Sequence, residues 1–329
     1  VPAPSDAARR SRAALQLVHG STRAAVLPDE GGVVSALEVA GAAVLARTPW
    51  HDEVDASAEP ADDEAEWVAR WRGGWQLCFP TSGVPDPDAG PRQGFHGAAS
   101  QSPWSVTDTT ADAATLLWED ADGLRAERRW RVLPDGLAVT TRATNGGAAA
   151  RLLAIAEHLV LGRDVLRPVF DGAALAVDVP DGAGIAPLDY GGAPDGPAVT
   201  WPGSAAEPWD AVDARTPARV AALLEPVPAV VRLIGPTLTV AVRWSGLPHA
   251  LLWEELAQSA EPPWLGAVTA LGIEPTSTPH GLGTASGRGL IPLAPREDLS
   301  WSVELRVTRA ADTPPEDHAL GSAREGAAS

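Results

Sequence analysis

"ATLLWEDADGLRAERRWRVLPDGLAVTTRATNGG", residues 114–147, decides the fold class. Two turn signals, Asp122-Gly123 and Pro134-Asp135-Gly136, divide it into three runs of alternating apolar and polar residues. In the middle run Ala126, Arg128, Trp130 and Val132 share one side, and Glu127, Arg129 and Arg131 the other, because successive strand side chains point to opposite faces. This pattern predicts an antiparallel meander with one face buried and one wet.

The same punctuation continues outward. From Leu15, "LQLVHGSTRAAVLPDEGGVVSALEVAGAAVLA" is a series of short apolar runs separated by Gly or Pro-Asp. Further strands are expected in "ARLLAIAEHLVLG" (150–162), "ARVAALLEP" (218–226), "AVVRLIGPTLTVAVRW" (229–244) and "LSWSVELRVTR" (299–309). Residues 171–216, rich in Pro, Gly, Ala and Asp, read as long loops with a few short strands. Only Asp6 to Gln16 suggests a helix, and no internal repeat is visible. The expectation is all-β: a flexible segment over 1–14, a single sandwich domain over 15–309, and a disordered tail over 310–329.

Composition removes several function classes. The 329 residues carry 25 basic side chains, all arginine, against 43 acidic ones, a net charge of −18. That field repels phosphate backbones and anionic lipid, so neither a nucleic acid nor a membrane partner is expected. The absence of lysine excludes a Walker-type phosphate loop, a Schiff base and a lysine general base. Cys78, the single cysteine, permits no internal disulfide or thiolate cluster, and its setting in "LCFP" predicts a buried, inert thiol. No His-x-His or His-x₃₋₄-His pair supports a metal site, "GLGTAS" (281–286) lacks the third glycine of a dinucleotide loop, and no Gly-x-Ser-x-Gly elbow occurs. No run has the length of a membrane span or, near the start, of a secretory signal, so a cytoplasmic protein without metal or cofactor is expected. The eight acids of "HDEVDASAEPADDEAE" (51–66) read as a solvated loop or lid edge.

Four segments carry candidate chemistry. "RWRGGWQLCFPTSG" (70–83) sets Arg70, Arg72, Trp71 and Trp75 around a Gly-Gly pair: either a hairpin with snorkelling arginines or a ligand wall of guanidinium forks and indole faces. "GFHGAASQSPW" (94–104) puts His96 between Phe95 and Gly97, as a turn residue or a proton carrier. In "GIEPTSTPHGLG" (272–283), Glu274 ends an apolar run, where a carboxylate is costly unless paired or functional. In "AIAEHLVLG", Glu157 and His158 sit inside an apolar strand and point to opposite faces.

Taken in order, "GGVVSALEVAGAAVL", "RGGWQLCFPTSG", "GFHG…PW", "DGLAVTTRATNGG", "EHLVLG" and "ALGIEPTSTPHGLG" resemble the aldose 1-epimerase (galactose mutarotase-like) superfamily, over roughly residues 15–309. The match is to its branch with a "GGW…FP" segment and a Glu-Pro-Ser/Thr ending. The resemblance implies a large antiparallel β-supersandwich with a sugar cleft, and an isomerase of carbohydrate metabolism that interconverts the anomers of a free aldohexose by acid/base-assisted ring opening. It implies Glu274 as the base and His158 as the acid, placed across a pyranose, with His96 as a third catalytic residue that holds the ring-oxygen side or shares the acid role. It also implies Arg72 as a binder of sugar hydroxyls, beside which the ligand-wall reading sets Trp75 as a substrate-binding ring, and, through the cleft-lining segment "LLWEELAQ" (251–258), Glu254 or Glu255. The implied partner is a small-molecule sugar, bound by a monomer or homodimer. The "RGG…CFP" segment also resembles hexose-6-phosphate 1-epimerases, in which Arg70, Arg72 and Arg92 would hold phosphate. A non-catalytic carbohydrate-binding module on the same fold is the remaining alternative.

Overall fold

The computed structural model describes residues 14–54, 60–87 and 93–309. The expectations for 1–13 and 310–329, and Arg92, lie outside the described residues.

Two large antiparallel sheets face each other. The meander forms as its alternation predicts, as Ala113–Glu119, Leu124–Leu133 and Gly136–Asn145. Asp298–Arg309 pairs with the last of these, and Leu238–Ser245 and Val230–Ile234 extend the nine-stranded sheet. The 11-stranded sheet runs from Leu15–His19 through Thr22–Leu27, Val33–Val39, Trp75–Cys78, Ala156–Leu161, Thr269–Thr276, His249–Leu256, Arg219–Leu224 and Gly184–Leu188 to Val199–Thr200, with Ala42–Ala43 paired beside Val33–Val39. One continuous apolar cluster fills the space between the sheets. A second, aromatic-rich cluster lies on the outer face of the larger sheet and includes Trp67, Trp71, Val160, Trp253 and Trp264.

Local sequence explains the departures from the expected string. The run 150–162 splits into Arg151–Leu153, which pairs with Ile291–Leu293 in a small separate sheet, and Ala156–Leu161, which joins the large one. Leu15 and Gln16, expected to end a helix, open a strand. Three short helices, Glu64–Val68, Ala98–Gln101 and Arg163–Phe170, are too brief, or in the last case too interrupted by Pro168, to show a helical period. Among the described residues no helix is long and apolar enough to cross a membrane. The Gly73-Gly74 pair makes no hairpin. Both residues have positive φ, and a Cβ on either would lie 2.3 Å from a backbone oxygen, of Ala46 or Val34, so only glycine lets Trp75–Cys78 dock there.

One polar contact sits inside the sandwich. Arg128, on the inward side of the meander, gives Nη1 and Nη2 to Glu157 Oε1 and Oε2 at 2.8 and 2.9 Å. The indole N–H groups of Trp75 and Trp301 donate to the same carboxylate at 2.9 and 2.7 Å. Arg128 also lies 4.7 Å over the Trp130 ring. The pair is essentially sealed from water, so removal of one partner leaves the other as an uncompensated buried charge. Glu157→Gln is expected to lower unfolding free energy by about 3–5 kcal/mol in urea titrations, and the paired replacement Arg128→Met with Glu157→Leu by clearly less.

Candidate active site

The side of Ala156–Leu161 opposite Glu157 faces the second cluster and carries His158. Register places it. Ala156 pairs with Thr276 and Val160 with Gly272, so His158 stands beside Glu274 on the neighbouring strand, with Gln76 on its other flank. His158 Nε2 and Glu274 Oε1 are 3.9 Å apart, and each side chain is more than nine-tenths buried.

His96 comes from the loop after Trp75–Cys78. Its φ of 61° is in the left-handed region, uncommon for a side-chain-bearing residue. Its backbone is fixed at both ends: its N–H donates to Gly83 O, and its carbonyl accepts from Phe79 N–H. The ring lies 5.6 Å, centroid to centroid, from that of His158. Trp67, from the short helix Glu64–Val68, meets both imidazoles edge-on, at 4.6 Å from His96 and 5.4 Å from His158. Asp63 caps that helix by accepting from Glu66 N–H at 2.9 Å.

His96, His158 and Glu274 therefore line one cleft, of about 460 Å³. Its walls are mostly aromatic, with Trp67, Phe95, Tyr190, Trp253 and Trp264, and Asp62, Asp63 and Glu64 contribute carboxyl groups. Nδ1 of both histidines is buried and accepts or donates no hydrogen bond among the described residues. Burial without a cation nearby raises the Glu274 carboxyl from the usual 4.5 to about 8. Burial lowers the His158 imidazole from 6.5 to about 4, and lowers His96 well below its usual value, with His158 as a smaller cause. At neutral pH the resting pair is thus an uncharged acid beside an uncharged base.

Glu274 reaches this position because residue 272 has no side chain. Both lie on the cleft face of Thr269–Thr276, and a Cβ on Gly272 would be 2.4 Å from Glu274 Oε1. The carboxyl group folds back over that bare backbone.

The remaining sequence candidates lie elsewhere. Arg72 does not line this cleft: its guanidinium pairs with Glu30 and donates to the carbonyls of His51 and Val54, and with Arg70 it borders a smaller cavity on the other side of Trp67, which lines both. Trp75 is fully buried on the sandwich side, where it donates to Glu157. Glu254 points away from the cleft and pairs with Arg219 Nε at 2.6 Å, whose guanidinium stacks over Trp209. Glu255 faces the cleft side but is fully buried, its oxygens taken by Tyr190, Ser259 and Gln258. Sequence reading missed Trp67, Tyr190, Trp253, Trp264 and the acids at 62–64. The Asp63-to-Glu66 capping spacing ahead of Trp67 was the available signal.

No family model matches the chain, and no curated protein matches it. Solved structures do. The Slr1438 protein of Synechocystis sp. PCC 6803 is 19% identical with a TM-score of 0.66, over 90% of this chain and 95% of that one. A galactose mutarotase-like protein from Lactobacillus casei is 14% identical with a TM-score of 0.65, over 90% of this chain and 100% of that one. The aldose epimerase homologue from C. elegans is 14% identical with a TM-score of 0.61, over 90% and 98%. This chain has the fold of the galactose mutarotase-like proteins.

Proposed function

We propose that the protein is an aldose 1-epimerase, interconverting the α and β anomers of a free aldohexose. One observation carries this reading: a carboxyl group and an imidazole stand 3.9 Å apart at the floor of a sugar-sized aromatic cleft. The resemblance implied a pair facing each other across a pyranose, whereas register sets them side by side. Side by side suits the chemistry, because the hydroxyl oxygen and the ring oxygen of a hemiacetal share one carbon. Adjacent donor and acceptor atoms address both.

The proton states set the direction of the first half-reaction. His158 Nε2 takes the proton of the anomeric hydroxyl. The C1–O5 bond breaks, its electron pair stays on the ring oxygen, and Glu274 protonates that oxygen. The open-chain aldehyde turns about C1–C2. The O5 hydroxyl then adds to the other carbonyl face, returning its proton to Glu274 as the imidazolium protonates O1. The resting arrangement reverses the roles implied by the resemblance, and ring closure uses them as implied. His96, uncharged and within one ring of His158, is placed to hold a sugar hydroxyl. The phosphosugar reading gains no support: the described lining holds no arginine, and Arg72 is committed to Glu30.

Polarimetry on freshly dissolved α-glucose and α-galactose tests the proposal. Catalysed relaxation is expected, reduced on the order of 10²-fold or more by Glu274→Gln or His158→Gln. Relaxation at the buffer rate, with sugar still quenching tryptophan fluorescence, would instead indicate a binding module. The active pair holds one proton, so kcat/KM against pH should be bell-shaped, falling below about 4 and above about 8.

Stability should show the opposite trend at Glu274. Its folded pKa is raised, so the fold favours the protonated form, and stability is lost as pH rises from 4.5 through about 8. Glu274→Gln removes that loss. Thermal melts across this range should show the inactive variant gaining on the native protein as pH increases, by up to a few kcal/mol. A melting difference independent of pH would remove the buried-acid assignment.

A further inference from the structure

Tyr190, the single tyrosine of the chain, borders the cleft without belonging to the proton-transfer pair. Its hydroxyl donates to Glu255 Oε2 at 2.8 Å and accepts from Trp253 Nε1 at 3.0 Å. Glu255 is an anchor built for this purpose. It is fully buried, no cation pairs with it among the described residues, and its other hydrogen bonds come from the backbone N–H groups of Gln258 and Ser259 and the Ser259 hydroxyl. With these donors in place, the Tyr190 proton points at Glu255 and its lone pair at Trp253.

Trp253 is the member of this chain that reaches the reacting groups. It is paired in register with Gly272, the bare position over which Glu274 folds, and its ring centroid is 6.2 Å from that of His158. The indole has one polar atom, and Tyr190 takes it. Trp71 at 5.8 Å and Trp264 at 5.3 Å pack against the ring, and only 7% of Trp253 stays exposed, as an apolar part of the cleft wall. Such a contact suits the C–H groups of a pyranose rather than its hydroxyls.

We propose that Trp253 is the apolar wall contact that sets the sugar over Glu274 and His158, and that Tyr190, anchored on Glu255, is the positioning residue that fixes the tilt of its indole. This rests on the sugar-binding reading of the cleft. A contact that binds substrate and transition state alike governs KM and leaves kcat, because uniform binding does not change the barrier from the bound state.

The test is a double-mutant cycle on Tyr190→Phe and Trp253→Phe, with glucose and galactose as probes. Tyr190→Phe keeps the ring and deletes only the hydroxyl; it should raise KM about tenfold, leave kcat within about twofold, and leave both limbs of the pH profile in place. Phenylalanine at 253 has no N–H to orient, so in that background Tyr190→Phe should change KM little, giving strong non-additivity. Unchanged KM in Tyr190→Phe, equal losses of kcat and kcat/KM, or additive effects would overturn the inference while leaving the epimerase reading intact. If the native protein binds these sugars without turning them over, the cycle is read from fluorescence-quenching affinities, and the epimerase reading fails independently of this one. Absence of any sugar binding would sink both. Melting of Tyr190→Phe and Glu255→Gln separates loss of fold from loss of tilt: a variant with native-like melting and weakened sugar dependence supports the positioning role.

Discussion

Between the two sheets, the carboxylate of Glu157 takes two guanidinium N–H groups from Arg128 and one indole N–H each from Trp75 and Trp301. A charge removed from water survives only when opposite charge and hydrogen bonds replace the lost hydration, and all four N–H groups here lie within 2.9 Å of a carboxylate oxygen in a dry space. The four residues of this contact come from four strands in two sheets: Trp75 and Glu157 from the larger, Arg128 and Trp301 from the smaller. The contact therefore does what apolar packing does poorly. A leucine would tolerate a small slide of one sheet over the other, whereas bidentate geometry does not.

That constraint reaches the cleft through strand alternation. Every residue of Ala156–Leu161 is buried, so hydrophobicity alone does not say which side faces which layer. A one-residue slip would turn His158 into the sandwich and Glu157 toward the cleft. The Arg128 fork and the two indoles accept only a carboxylate at that depth, which pins the register. His158 then falls opposite Glu274 because the next strand is hydrogen-bonded to the same one. The spacing of His158 and Glu274 thus derives from an ion pair on the other side of the sheet.

The sequence carried much of this in its alternation. The placement of Ala126, Arg128, Trp130 and Val132 on one side of a strand, and of Glu157 and His158 on opposite faces, needed only the two-residue period of a β-strand, and the structure keeps both. His96, His158 and Glu274, far apart in the chain, share one cleft. Partner choice was not legible. Arg72 looked like a ligand fork because nothing local marks Glu30, 42 residues away, as its counter-charge. Trp75 and Glu254 had the right residue types but the wrong face, and Glu254 found Arg219 across the strand pair. The aromatic walls were missed for a related reason: Trp67, Tyr190, Trp253 and Trp264 come from a short helix, a turn, a strand and a loop, and only the tertiary fold gathers them.

The apolar wall also explains how two titratable groups can sit together in a nearly dry site. As a carboxylic acid and a neutral imidazole they bring no net charge and need no counter-ion, which is consistent with a lining that holds no arginine beside the Glu274 carboxyl among the described residues. In the proposed reaction, charge appears only when the sugar ring opens and one proton has moved each way, leaving a carboxylate and an imidazolium in contact range. In a medium of low polarity that transient pair attracts strongly, offsetting part of the cost of separating the protons. On that proposed route, desolvation draws the protons back to their starting places once the ring recloses. The same burial that makes either charge costly on its own would therefore reset the pair after each turnover.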